Sequence, residues 1–151
     1  MYANILLSTD GSDVARKGVK HGIGLAKALD AKVMVITVTE PLPVFVYGSG
    51  DAPGWTPSKQ EIDSFDAACK ERARKVLDEA RVMAEQIGIS LELLHVPNAQ
   101  PATEIIETAK SKGCDLIVMG SHGRRGLRKL CLGSQTSEVL AGGNLPVLVV
   151  H

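Results

Sequence analysis

The stretch from Asp115 to Ser137, DLIVMGSHGRRGLRKLCLGSQTS, carries the reading of the fold. It opens with six residues, Asp115 to Gly120, whose apolar run of Leu, Ile, Val and Met is that of a strand buried on both faces. Gly120-x-x-Gly123 follows, then nine residues, then Gly133-Ser134 and a pattern that begins a helix. A strand that feeds a helix through a glycine-rich turn is half of a βαβ unit. Similar β-branched runs occur at Asn4 to Thr9, Lys32 to Thr39, Ser90 to His95 and Pro146 to Val150, so strands alternate with longer helical patterns along the whole chain. The expected fold is a single α/β domain over residues 1–151, a Rossmann-like open parallel sheet of five strands with helices on both faces.

The helices have their own signals. Ser12 to Leu29 places Val14, Gly18, His21, Gly22, Leu25 and Leu29 on one face at helical spacing. Gly18, Gly22 and Gly24 weaken that helix by about 1 kcal/mol each relative to alanine, and they read as points of close packing. Ser58-x-x-Glu61 is a capping box and opens a helix that runs to Gln86, with Gly88 placed for a left-handed cap. Pro101 sits in the first turn of a third helix, which turns Ile105, Ile106 and Ala109 inward and stops at Gly113. The fourth opens at Ser134 and ends before Gly142-Gly143. Glu40 to Pro57, with four prolines and three glycines, reads as a surface excursion that contains Tyr47 and Trp55.

Bulk composition removes several function classes. The 17 basic residues balance 17 acidic ones, so no overall charge draws the molecule to nucleic acid or to a membrane surface, and an anion site has to be local. Aromatic content of 3% is too sparse for the stacking platforms of single-strand binders. Cys69, Cys114 and Cys131 have neither disulfide-framework nor zinc-knuckle spacing, which fits a reducing compartment. The first residues, MYANILLSTDGS, lack a basic segment and a long apolar core, and no window is long enough for a membrane helix. The expectation is a cytoplasmic protein without membrane insertion.

A doubly wound sheet takes its ligand at the carboxyl ends of its strands. Asp10-Gly11-Ser12, Val38-Thr39 and the segment from Ser121 to Leu132 should therefore meet. Glycines admit close approach of a phosphate, and Ser134 lies at a helix N-terminus where free N–H groups and the dipole favour anions. Arg124, Arg125, Arg128 and Lys129 make this the most basic stretch of the chain. Neither G-x-x-x-x-G-K-[ST] nor G-x-G-x-x-G occurs, so P-loop mechanics do not apply. Asp10 has two readings: a ligand-facing acid at a strand end, or an N-cap acid ahead of Ser12. His122 reads as a packing or hydrogen-bonding ring more readily than as a general base, because no carboxylate neighbours it in sequence. His21, His95 and His151 have no metal-ligand spacing and read as structural. Cys131 in Leu-Cys-Leu reads as inert, with reactivity in its basic surroundings as the alternative.

The glycine spacing, the opening NILLSTDGS and the closing LPVLVV together resemble the universal stress protein family, ATP-binding type, over the whole chain. The resemblance implies sheet order 3-2-1-4-5 and a homodimer paired through the last strand. It places Ser8, Thr9 and Asp10 near adenine and ribose, and has Val38 meet adenine through its backbone. Met119, Gly120, His122 and Gly123 would line the ribose and α-phosphate, with Gly133, Ser134, Gln135 and Thr136 at the outer phosphates. ATP, with or without Mg, is the implied ligand, with AMP or another adenine nucleotide as alternatives. Gln135 departs from the small apolar residue common there, so its side chain either adds a polar contact or turns away. The implied role is nucleotide-dependent regulation in a stress response, without catalytic residues. A slow ATPase or phosphotransferase using the same site is the alternative.

Overall fold

The computed structural model describes residues 1–43, 56–122 and 132–151. Tyr47 and Trp55 of the excursion, together with Gly123, Arg124, Arg125, Arg128, Lys129 and Cys131 of the basic loop, lie outside the described residues. The described elements are β1 (Asn4–Ser8), α1 (Asp13–Leu29), β2 (Lys32–Thr39), α2 (Lys59–Glu85), β3 (Glu92–Pro97), α3 (Pro101–Ser111), β4 (Leu116–Gly120), α4 (Ser134–Gly142) and β5 (Val147–Val150). All strand pairs are parallel and the sheet order is β3-β2-β1-β4-β5, as the resemblance implies.

The alternation of strand faces splits the core in two. Ile5, Leu7, Val33, Val35, Leu116 and Val118 point to one face and pack with Val19, Ile23 and Ala26 of α1 and Leu77, Ala80 and Ala84 of α2. Leu6, Met34, Ile36, Ile117 and Met119 point to the other and meet Ile105 and Ala109 of α3 and Val139 of α4. β4 is buried throughout, and β1 and β2 are buried except at their ends, which is why they read as nearly unbroken apolar runs.

Helix ends follow local chemistry. The Ser58 hydroxyl accepts from the Glu61 N–H while Glu61 accepts from the Ser58 N–H, closing the capping box that the sequence shows. Three helices end in left-handed caps, with Asp30, Gly88 and Gly113 at φ 53°, 74° and 63°. In each the next residue's N–H reaches back to a carbonyl of the last turn: Ala31 to Ala26, Ile89 to Ala84 and Cys114 to Ala109.

Two expectations are corrected. The third strand runs from Glu92 to Pro97 and not from Ser90 to His95, because its ends are set by pairing with β2, Met34 opposite Glu92 through Thr39 opposite Pro97. The buried face of α1 is Ala15, Gly18, Val19, Gly22, Ile23 and Ala26. His21 is exposed and its Nδ1 lies 2.9 Å from the carbonyl of Lys17, so the face is turned by about one residue from the one first drawn.

The glycines of α1 differ in what they meet. A Cβ on Gly22 would stand 2.2 Å from Cδ2 of the fully buried Leu7, whereas one on Gly24 would meet nothing within 4 Å. Gly22→Val should therefore destabilise the fold by about 3 kcal/mol through overpacking. Gly24→Ala should stabilise it by about 0.5–1 kcal/mol through helix propensity. Urea unfolding of both variants checks the pair; a Gly22→Val protein as stable as wild type would show that α1 does not sit this close to β1.

Candidate functional site

A cleft of about 860 Å³ opens at the carboxyl ends of the strands. Its walls come from the loop after β1, the end of β2, the end of β4 and the start of α4, with one side of α2 and the first turns of α3. Of the residues expected at the site, Ser8, Thr9, Asp10, Val38, Met119, Gly120, His122, Gly133, Ser134, Gln135 and Thr136 all line this one cleft. Gly123 lies outside the described residues.

The β1 corner is held by its own side chains. Thr9 Oγ1 accepts from the Gly11 N–H at 3.2 Å and Asp10 Oδ1 accepts from the Ser12 N–H at 3.0 Å. Gly11 has φ 78°, a conformation that favours glycine, and a Cβ there would meet Val76 of α2 at 2.6 Å. Capping of α1 falls to Ser12, whose hydroxyl accepts from the Ala15 N–H. Asp10 is therefore not the N-cap; it shapes the turn that precedes it and lines the cleft.

The β4 corner is built by close approach. A Cβ on Gly120 would stand 3.0 Å from both the Ala15 nitrogen and Val14 Cγ1, and one on Gly18 would stand 3.3 Å from the Gly120 nitrogen. Glycine at position 120 thus lets α1 pack tightly on β4, where a side chain would force the neighbouring atoms to give way. Thr136 donates its hydroxyl to the Gly120 carbonyl at 2.9 Å in a buried bond, and Gly133 N–H donates to the Ser121 carbonyl at 2.8 Å. These two bonds pin the start of α4 to the end of β4. The Ser121 hydroxyl and His122 Nδ1 lie 3.1 Å apart.

At its N-terminus α4 differs from the other helices. Ser12, Ser58 and Gln100 cap α1, α2 and α3 with side chains, but Gly133 is the N-cap of α4 and, among the described residues, no side chain caps its first turn. That turn lines the cleft and presents backbone N–H groups with the positive end of the helix dipole. Gln135 turns its side chain away to α3: its Oε1 accepts from the Ala102 N–H at 2.9 Å, and Gln100 Nε2 lies 3.4 Å from the same oxygen. The polar side chain of Gln135 is thus engaged on the neighbouring helix.

The second strand ends beside a histidine that spacing could not connect to the site. Thr39 lines the cleft, and its Oγ1 lies 2.9 Å from His95 Nε2 on β3. Burial, and to a lesser extent the charge of Lys70, hold the His95 imidazole below its ordinary value of 6.5. The folded state then binds a proton less readily than the unfolded chain, so stability present above pH 6.5 is lost as pH falls from there through the lower folded value. Wild type should lose stability over this window more steeply than His95→Gln. Chemical unfolding at pH 7.5 and at steps down to pH 5 checks this; parallel curves for the two proteins would remove His95 as the cause.

Among the described residues no group of three or more His, Cys, Asp and Glu is placed to hold a metal, and no helix is long and apolar enough to cross a membrane.

The family model for universal stress proteins matches residues 1–151. Universal stress protein MJ0531 of Methanocaldococcus jannaschii is 36% identical over 150 residues, covering 99% of this chain and 82% of that protein. Universal stress protein YxiE of Bacillus subtilis is 33% identical over 151 residues, covering 100% of both chains. Among solved structures, that of MJ0577 superposes with a TM-score of 0.77 at 28% identity over 99% of this chain and 96% of the other. A universal stress protein in complex with cAMP superposes with a TM-score of 0.72 at 25% identity over 99% and 97%.

Proposed function

The chain belongs to the universal stress protein family, and on that footing we propose that it binds an adenine nucleotide, ATP foremost, in the cleft above the strand ends and acts as a nucleotide-dependent regulator in the form of a homodimer. One observation carries this reading. The first turn of α4, which no side chain caps among the described residues, opens into the same cleft as Asp10, Val38 and Gly120. A helix start of this kind is an anion site, and the strand-end corner beside it has room for a nucleoside. The solved relative that holds cAMP supports an adenine ligand.

In this reading Asp10, Val38 and Met119 hold the nucleoside, and the backbone of residues 133–136 holds the phosphates. Ser134 adds its hydroxyl there, while the side chains of Gln135 and Thr136 keep the two helices and β4 in place. AMP and other adenine nucleotides fit the same corner with fewer phosphate contacts. The dimer forms through β5, which has only β4 as a neighbour in the sheet.

Regulation, and not turnover, is the role these groups support. Fast phosphoryl transfer needs a metal bridging the outer phosphates and a group that positions the attacking water. Asp10 stands at the nucleoside end, and His122 is engaged with the Ser121 hydroxyl. Purified protein should hydrolyse ATP no faster than roughly a few times per hour, because the described residues of the cleft offer no group placed for both parts. Release of labelled phosphate from saturating ATP measures this. A rate above about 1 per second, within the usual range of enzymes, that is lost in His122→Ala while ATP still binds would establish the ATPase reading instead.

A further inference from the structure

The side of the cleft formed by α2 has no role in the nucleotide reading so far. Phe65, Arg72, Ala73 and Val76 all line the cleft, and their spacing of seven, one and three residues puts them on one face of the helix. Ala73 is buried and Phe65 and Val76 are half-buried, so this wall is apolar apart from the one guanidinium. Arg72 is the only lysine or arginine among the described residues that line the cleft.

Its partners set it apart from the other arginines. Arg16, Arg74 and Arg81 each contact a carboxylate at 2.7–2.9 Å. Arg72 makes no ion pair among the described residues; its Nη2 lies 3.3 Å from Cys69 Sγ, one turn earlier on the same helix. Sulfur is a weak acceptor, so this contact aims the guanidinium along the helix without using up its hydrogen-bonding capacity. The planar cation is left at an apolar wall.

Its position relative to the sheet says which part of a ligand it meets. Val76 rests on Gly11, the residue after Asp10, close enough that a Cβ there would stand 2.6 Å from Val76 Cγ2. Arg72 lies four residues earlier, about 6 Å further out along the helix axis. It therefore stands above the Asp10 corner. The start of α4 is on the opposite face of the sheet, since α2 packs in the layer with α1 and α4 in the layer with α3.

Resting on the reading of the cleft as an adenine-nucleotide site, we infer that Arg72, backed by Phe65, covers the face of the ligand's base and is a base-reading residue that sequence motifs do not mark. Guanidinium planes stack on aromatic heterocycles and gain from the attraction of a cation to the ring face. Selectivity follows from this geometry: a flat, extended ring system gains from the wall, and a sugar phosphate without a base does not.

Arg72→Lys tests the inference because it keeps the charge and removes the plane. Titration calorimetry of wild type and Arg72→Lys with adenosine, AMP and ATP should show a loss of roughly 3- to 30-fold, the same for all three ligands. Equal affinities in the two proteins would overturn it. So would a loss that grows from adenosine to ATP, which would make Arg72 a phosphate ligand. Arg72 is exposed, and matching melting curves establish that the variant is folded. If ATP binds wild type and variant alike, the nucleotide site stands and only this inference falls; if wild type binds none of the three, the reading of the cleft itself falls.

Discussion

Gly133→Val should leave the fold standing and weaken ATP binding by about 100-fold or more, a loss near 2.7 kcal/mol. The backbone at this position has φ −62° and ψ 154°, which valine adopts without strain. Its N–H, bonded to the Ser121 carbonyl, is kept in the variant. The sequence alone leaves open that glycine is needed here for a special backbone angle; the observed angles exclude that reason. What the substitution adds is an isopropyl group at the N-cap of α4, a residue that lines the cleft. It blocks close approach of a phosphate and cannot cap the turn itself. The cost to stability stays below about 1 kcal/mol, the usual scale of an N-cap change. Calorimetry for binding and thermal melting for stability separate the two effects, and undiminished affinity would mean that the start of α4 is not the anion site.

If the chain pairs through β5 as proposed, Leu148→Lys should convert that dimer to monomers at tens of micromolar protein, seen by light scattering as a halving of mass. Among the described residues β5 is an edge strand, and a parallel pair with β4 satisfies one of its sides. Leu148 is 39% exposed on it, and Leu140 of α4 and Leu132 before α4 are 42% and 43% exposed nearby in the chain. An open apolar edge favours pairing with a second copy, and one lysine on such a strand is a standard means of preventing it. A wild-type protein that is monomeric at the same concentration would contradict the proposed dimer directly.

Much of this architecture could be read from residue pattern. Five β-branched runs gave five strands, and the capping box at Ser58 gave the start of α2. Gly88 and Gly113 gave helix ends, because a left-handed cap is a local requirement that glycine meets at little cost. Features that depend on a distant partner were illegible. The limits of β3 are set by β2, and the face of α1 by how closely Gly18 and Gly22 let it approach β4 and Leu7. At the site, the glycine motif and the strand-end aspartate located the cleft, since both are consequences of strand-to-helix turns. The particular duties of Gly120 and Gln135 were not readable: one is fixed by α1 passing over β4, the other by an N–H on α3. Phe65 and Arg72 were missed because residues of an amphipathic helix give no local sign that its outer turns stand above a ligand site. The weak clue was an arginine on the apolar side of α2, seven residues after Phe65.

The central claim is that the cleft binds an adenine nucleotide through the start of α4, and titration of ATP into purified wild-type protein by calorimetry tests it most directly. The account predicts one site per chain with a dissociation constant in the range of about 1–100 micromolar, corresponding to roughly −8 to −5.5 kcal/mol, and its loss in Gly133→Val. No heat above dilution at millimolar ATP would contradict it.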